Sequence, residues 1–148
     1  MPRTSRSLLV LAVAAATAVA GCGGGDYPSK PDDICKNAAE ELNGVARPKA
    51  VGDLHVYLLR FQEILTKEIR QLKEVKPPSD KQPAYSGFVG GLDQTLTVVR
   101  RATNLSGQQP RRALTLLARQ GASAAAVRPQ QAMAAGLKEC AKSQARQR

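Results

Sequence analysis

The sequence is poor in the residues that build most catalytic and metal sites. It contains one histidine, His55, and three cysteines, with no CxxC or HxxxH spacing. A structural zinc site takes four such ligands, and one histidine without an organised partner assembles no Ser-His-Asp or Cys-His arrangement. Two phenylalanines, three tyrosines and no tryptophan leave few rings that could stack on bases. We therefore predict that the chain is not an enzyme and that it has no metal, no cofactor and no nucleic-acid partner.

The sequence also lacks an apolar run that is long enough to cross a membrane. The uncharged run Leu8–Ala20 has 13 residues and follows Arg3 and Arg6, whereas a transmembrane helix needs roughly 20. A basic start followed by a short apolar run is typical of a secretory signal peptide. We predict that residues 1–21 form such a peptide and are removed from the mature chain.

The apolar run ends in Val19-Ala20-Gly21-Cys22, which resembles the lipobox of bacterial lipoproteins. In that family the cysteine thiol receives a diacylglycerol, and the peptide is cut before the cysteine. The resemblance implies that Cys22 is the lipidation site and that residues 22–30 form a lipidated flexible tether. It also implies that the protein is anchored by lipid in the cytoplasmic membrane, at the outer face of the cell membrane. The alternative is an ordinary signal peptide followed by a cysteine without this role.

Cys35 and Cys140 are the two other cysteines of the chain. In an exported protein an even number of remaining cysteines predicts a disulfide, which here would close a loop of about 100 residues. A metal site is the alternative, but only His55 is available to join the two thiols. We predict the Cys35–Cys140 disulfide.

The hydrophobic pattern predicts helices that are separated by proline and glycine. A short first helix begins near Pro31 and stops at Gly44. The strongest pattern covers residues 51–75, where apolar residues recur at steps of three, four or seven and only Glu68 interrupts the stripe. Pro77 ends this second helix.

The rest of the chain continues in the same way. A third helix starts between residues 79 and 83, and a fourth starts at Pro110 and is kinked or split near Pro129. An alternating β pattern of useful length does not occur. We predict an all-α, up-down-up-down four-helix bundle over residues 31–143, followed by a basic C-terminal tail at 144–148.

Almost all of the net positive charge lies in the last third of the chain. Residues 100–148 contain ten basic residues and one acid, whereas residues 22–99 are close to neutral. In the predicted bundle, cations collect at the end far from the lipid, and two of them occupy a first helical turn, where the helix dipole disfavours them. We predict an anion- or partner-binding surface that is formed by Arg47, Lys49, Arg100, Arg101, Arg111 and Arg112. A solvated basic surface is the alternative.

Two other groups of residues each permit two interpretations. The basic residues between Lys138 and Arg148 would face the membrane at the opposite end of the bundle, or they complement a helix dipole and need no lipid. Gly87, Gly90 and Gly91 fall inside the third helix. They indicate either close packing against a neighbouring helix or a notch for a ligand.

The layout as a whole resembles small helical lipoproteins of high-GC Gram-positive type bacteria. The shared features are the lipobox, the segment YPSKPDDIC, a long helix that ends LKEVKPP, the aromatic pair Tyr85 and Phe88, and GLKECAK near the end. These motifs are structural. The resemblance therefore supports a disulfide-closed bundle and implies no activity.

Two functions are compatible with these features. The first is that of a membrane-anchored, extracytoplasmic and non-enzymatic binding module, whose basic end meets an anionic lipid, a wall polymer or a protein partner. The second is that of a carrier, which holds a small apolar or lipid-like ligand between its helices. A hydrolase is a distant third.

Overall fold

A computed structural model of the chain describes residues 26–146, which form six packed α-helices and contain no strand. The helices are α1 (Ser29–Asn43), α2 (Leu54–Lys73), α3 (Gln82–Ser106), α4 (Pro110–Leu116), α5 (Ala122–Ala134) and α6 (Lys138–Arg146). A 3₁₀ turn at Val51–Asp53 leads into α2, and a π-helical segment at Leu117–Gly121 joins α4 to α5. The all-helical prediction is confirmed. The predicted signal peptide, Cys22 and Arg148 lie outside the described residues.

The long helices α2 and α3 form the centre of the molecule. Their apolar stripes are buried, as the periodicity of the sequence predicts. The Tyr85 hydroxyl on α3 donates a hydrogen bond to the carbonyl oxygen of Leu72 at 2.7 Å. On the outer side, Lys73 and Asp93 form an ion pair at 2.7 Å. None of the helices in the described range is long and apolar enough to span a membrane.

One end of the molecule is closed by a disulfide, and we call it the disulfide end. Cys35 on α1 and Cys140 on α6 are joined there, with their Cα atoms 5.0 Å apart. Around this bond the side chains are completely buried, the largest being Phe88, Leu72, Leu92 and Leu137. Tyr27 packs its ring edge-on against Tyr85 and donates a hydrogen bond to the carbonyl oxygen of Ala135. The chain is therefore held against the disulfide end two residues before α1 begins.

The fourth helical stretch does not end at Pro129, as a split there would require. Pro129 lies inside α5, and the helix stops at Gly136, whose φ angle is +82°. The N–H groups of Gly136 and Leu137 donate to the carbonyl oxygens of Met133 and Ala132, each at 2.9 Å. These two bonds make a Schellman motif, which favours glycine at the left-handed position. The helix ends at Gly136 because glycine adopts a positive φ angle without a steric penalty.

The start of α6 is capped by a side chain from α1. The Asp32 carboxylate accepts hydrogen bonds from the first three N–H groups of α6, those of Lys138, Glu139 and Cys140, at 3.0–3.2 Å. These N–H groups have no partner within their own helix, so an acidic cap stabilises them. Asp32 itself lies in the first turn of α1, but its carboxylate binds the start of α6.

The turn at Gly136 makes α6 run beside α1 in the same direction. The two helices begin together at the Asp32 cap and are joined by the disulfide. At their other ends, Asn43 and Arg146 line the same cavity. The up-down-up-down four-helix bundle is therefore not confirmed, since α6 is an additional helix. The prediction that Arg146 lies at the disulfide end is wrong for the same reason.

Candidate ligand cavity

A cavity of about 800 Å³ lies between the helices in the half of the molecule away from the disulfide. We call this half, with its own small core of Leu54, Leu58, Val99, Ala102 and Ala113, the cavity half. The cavity is lined by Leu42, Asn43, Val45, Arg47, Tyr57, Leu58, Phe61, Thr95, Val98, Val99, Leu117, Gln120, Gly121, Ala122, Arg128 and Arg146. Its volume lies in the range of ligand pockets, about 300 to 1,000 Å³.

The walls of the cavity are mainly apolar. α2 contributes Tyr57 and Phe61, whose ring centroids are 6.3 Å apart. Val99 on α3 and Leu117 on the π-helical segment supply two more apolar surfaces. Phe61 also packs against the core of the disulfide end, so it stands between the two cores. Such a surface suits an apolar ligand.

The charged residues of the cavity are all arginines. Arg47 follows the end of α1, Arg128 lies on α5 and Arg146 lies at the end of α6. Neither aspartate nor glutamate occurs among the described lining residues. Arg128 is only 5% exposed, whereas Arg47 and Arg146 are exposed. A cavity with this charge attracts an acidic group and repels a basic one.

Arg128 is held by close packing against α3. A Cβ atom on Gly91 would lie 3.3 Å from Cγ of Arg128 and 3.1 Å from Oε1 of Gln131. Gly91 therefore fits the interpretation of close helix packing. Gly87 and Gly90 have more room and line an adjoining cavity of about 560 Å³ between α3 and α5. This cavity shares Val98, Gln120 and Arg128 with the large one. The three glycines thus border a cavity between α3 and α5, but none of them lines the larger cavity.

Glu68 is a buried carboxyl within electrostatic reach of Arg128. It lies on α2 and is 3% exposed. Burial raises its pKa from 4.5 to about 7, and the positive charge of Arg128 opposes that rise. Desolvation of the charged form is thus the larger effect. This carboxyl changes its charge near neutral pH.

The π-helical segment shapes one wall of the cavity. Its residues Leu117, Gln120 and Gly121 are all lining residues. A π segment widens a helix by one residue, and such segments recur at functional sites. A Cβ atom on Gly121 would meet nothing within 4 Å. There is therefore open space at Gly121 that a larger side chain could occupy.

The predicted anion-binding residues are not gathered at one place. Arg47 lines the large cavity, while Arg111 and Arg112 line a depression of about 710 Å³ with Val51 and Pro110. All six predicted residues are exposed. Arg100 and Arg101 lie on α3, and the loop at Lys49 is fixed by its own N–H, which donates to Asp53 at 3.0 Å. None of the six takes part in an ion pair within the described part of the chain.

The histidine connects the start of α2 to the end of α3. His55, near the start of α2, places its Nδ1 atom 2.9 Å from Oγ of Ser106 and 3.2 Å from the carbonyl oxygen of Thr103. Both partners are at the end of α3. These contacts indicate that His55 helps to hold the two helix ends together. Residues 26–146 also hold no group of three or more histidine, cysteine or acidic side chains that could bind a metal ion.

The sequence analysis missed Arg128 and gave Glu68 no role. A signal for Arg128 was present, because it lies four and seven residues before Ala132 and Ala135, which are both completely buried. Glu68 was visible as the single acid in the apolar stripe of α2. A third polar group, Gln144 on α6, is 2% exposed, and its Oε1 atom has no hydrogen-bond partner among residues 26–146. Unpaired buried polar atoms are uncommon in folded proteins.

Comparison with known proteins finds no matching family model, no matching curated protein and no matching solved structure.

Proposed function

We propose that this protein is a non-enzymatic binding protein that holds a small apolar or lipid-like molecule in the large cavity. The observation that carries the proposal is a cavity of about 800 Å³ with mainly apolar walls in the cavity half. Concave apolar surface of this kind is typical of a ligand-binding site.

The proposal places this binding protein at the outer face of the cell membrane. Its basis is the lipobox at Cys22 and the resemblance to small helical lipoproteins of high-GC Gram-positive type bacteria. Tyr27, which packs on the disulfide end, is five residues after Cys22. A lipid on that cysteine would hold the disulfide end within about 18 Å of the membrane surface. The cavity half would then face away from the membrane.

Metabolic labelling with a clickable palmitate tests the anchor. The wild-type chain should carry the label in the membrane fraction, and the Cys22→Ser chain should not. Equal labelling of the two chains would contradict the lipid anchor. It would leave the ligand proposal open to its own test.

Native mass spectrometry of the Cys22→Ser chain from an oxidising compartment tests the cavity. A bound molecule should appear as extra mass that is lost on unfolding. Gly121→Leu should abolish the extra mass, because the new side chain would occupy the cavity wall. The matched control is Gly90→Leu, which changes a glycine that also has open space around it but lines only the adjoining cavity. A bare chain that also fails to bind added apolar probes contradicts the proposal.

The basic surface supports a second candidate, the interaction module. Arg111 and Arg112 are exposed beside Val51 on the depression at the start of α4. Replacing both with Ser should weaken salt-sensitive capture of a wall polymer or anionic vesicles. Replacement of Arg100 and Arg101 by Ser is the matched control. Capture that is unchanged by Arg111→Ser and Arg112→Ser and unaffected by salt would exclude this candidate.

A further inference from the structure

We propose that the molecule held in the large cavity is an anionic amphiphile, whose acidic group stays at the exposed arginines Arg47 and Arg146 while its apolar part enters between the helices. This inference rests on the proposed function, since it names the chemical class of the ligand. It assigns these two arginines as the residues that distinguish an anionic ligand from a neutral or a cationic one.

Arg47 and Arg146 line the same cavity from two neighbouring helices. Arg47 follows the end of α1, and Arg146 is the last residue of α6. These helices lie side by side and are joined by the disulfide near their starts, so both end in the cavity half. The two side chains are exposed, and we call this exposed part of the lining the mouth. A ligand at the mouth meets water and guanidinium groups, and further in it meets apolar surface.

Neither arginine is held in an ion pair within residues 26–146. The described lining residues of the cavity include no aspartate or glutamate. Arg146 acts electrostatically on Glu139, but that carboxylate is already paired with Lys142 at 2.6 Å. A guanidinium binds a carboxylate or a phosphate through two parallel hydrogen bonds. An acidic head group is therefore the ligand chemistry that matches the mouth.

The charge of the cavity half supports the same ligand class independently. The segments 45–61 and 95–121, which contain the core residues of this half, hold eight basic residues and one acid. The other residues of the range 26–146 hold eleven of each. The net positive charge is thus concentrated around the cavity, where it attracts an anion and repels a cation. This attraction weakens with salt, because exposed charges are screened over about 8 to 10 Å.

The walls behind the mouth define the other part of the ligand. Tyr57 and Phe61 line the cavity with ring centroids 6.3 Å apart, and Leu117 adds an aliphatic surface. A free anion such as inorganic phosphate would use the mouth and leave these side chains without a partner. An amphiphile covers the apolar walls and keeps its charge in contact with water and the arginines, so that no unpaired charge is buried.

The test measures the binding of three fluorescent probes that differ in their polar end: a dansyl-labelled undecanoic acid, its methyl ester and the corresponding amine. The full chain carrying Cys22→Ser is used, so that no attached lipid competes. At about pH 7.5, where the acid is ionised, it should bind about tenfold more tightly than the ester, and the amine should bind more weakly than the ester. Salt at about 0.5 M should reduce the preference for the acid to about twofold.

Variants at the mouth separate a local contact from the general field. Arg47→Gln with Arg146→Gln should remove most of the preference for the acid and leave the affinity for the ester unchanged. The matched control is Arg100→Gln with Arg101→Gln, which removes two exposed charges from the same half but lines neither the large cavity nor the adjoining one. It should keep most of the preference. If the control loses as much as the mouth variant, a general field and not the mouth selects the ligand, and the inference fails.

A charge reversal adds a readout that does not depend on α6. A cation in the last turn of a helix stabilises it, and Arg146 has that position, so urea unfolding of each variant checks that it is folded. Arg47→Glu leaves α6 untouched. It should weaken binding of the acid and strengthen binding of the amine. Unchanged affinities for both probes would overturn the role of Arg47.

Competition identifies the kind of acidic group. Dodecanoate and dodecyl phosphate should each displace the acid probe, and the more effective of the two identifies the head group as a carboxylate or a phosphate. Inorganic phosphate at the same concentration should not displace the probe. If it displaces the probe as well as the two amphiphiles do, the mouth binds a free anion and the inference fails.

The outcomes also separate this inference from the proposed function. If acid, ester and amine bind the wild type equally and Gly121→Leu blocks all three, the cavity binds apolar ligands but the acidic head group is wrong. If no probe binds and native mass spectrometry shows a bare chain, the proposed function itself fails.

Discussion

The disulfide end and the cavity half differ in how completely their helices fill the space between them. At the disulfide end, the Cys35–Cys140 bond joins α1 to α6, and Phe88, Leu72 and Leu92 are completely buried. The core of the cavity half is smaller, and a volume of about 800 Å³ stays open beside it. The disulfide end thus combines a covalent bond with completely buried large side chains, whereas the smaller core of the cavity half borders open volume.

Two buried ionisable residues, Arg128 and Glu68, lie in or near the cavity half. Arg128 lines the cavity, and its charge acts on Glu68, which lies on the face of α2 that is turned towards α1. Phe61, which contacts both cores, stands between the two regions. Buried ionisable groups cost stability and recur at functional sites. In this protein Arg128 is such a group, and it lines the large cavity.

Removal of the disulfide should have the largest effect on stability. The bond closes a loop with a sequence separation of 105 residues, so Cys35→Ala with Cys140→Ala should lower the free energy of unfolding by about 4 kcal/mol. Urea unfolding of this variant and of the wild type measures the difference. Wild-type protein in reductant should match the variant. A loss below about 1 kcal/mol would show that packing alone closes this end.

Two leucine truncations compare the two regions directly. Leu92→Ala at the disulfide end should cost about 4 kcal/mol, and Leu58→Ala beside the cavity should cost about 2 kcal/mol. Leu92 is completely buried among large side chains, whereas Leu58 already borders open space and loses fewer contacts. Urea unfolding of both variants checks the order. Equal costs would contradict the difference in packing.

Glu68→Gln should change how stability depends on pH. The carboxyl holds its proton up to about pH 7 in the folded protein, but only to about 4.5 in the unfolded chain. Stability should therefore fall as pH rises from 4.5 to 7, by about 3 kcal/mol in total, and stay low above that range. The variant should lose this decline and be more stable than the wild type at about pH 8. Thermal unfolding across pH, with Glu63→Gln as control, measures it.

Asp32→Ala should have a smaller effect, of about 2 kcal/mol. The substitution removes three hydrogen bonds from the start of α6, which together act as a charged helix cap. Asp33→Ala, one residue further and exposed, is the control. Urea unfolding checks the loss, and amide hydrogen exchange should locate it in α6. Protection lost only in α1 would contradict the assignment of the cap.

Much of the helical structure could be predicted from the sequence because it depends on local signals. The second helix was predicted from its apolar stripe and the start of α4 from Pro110. The disulfide was predicted from the even pair Cys35 and Cys140. The break at Gly136 was not predicted, because proline is the stronger helix breaker and a kink or split was therefore expected near Pro129. The Gly136-Leu137 pair, a glycine followed by a buried apolar residue, is the signal that indicates the true end.

The composition and periodicity of this chain by themselves determined that it is all-helical and that Cys35 pairs with Cys140. Only the tertiary structure decided that Asp32 caps α6, that Arg146 reaches the cavity and that Arg128 lies near Glu68. The physical reason is the direction of α6. Once the chain turns at Gly136, α6 lies along α1, and residues 105 to 108 positions apart become neighbours. Periodicity reports which face of a helix is buried, but it does not report which helix will cover that face.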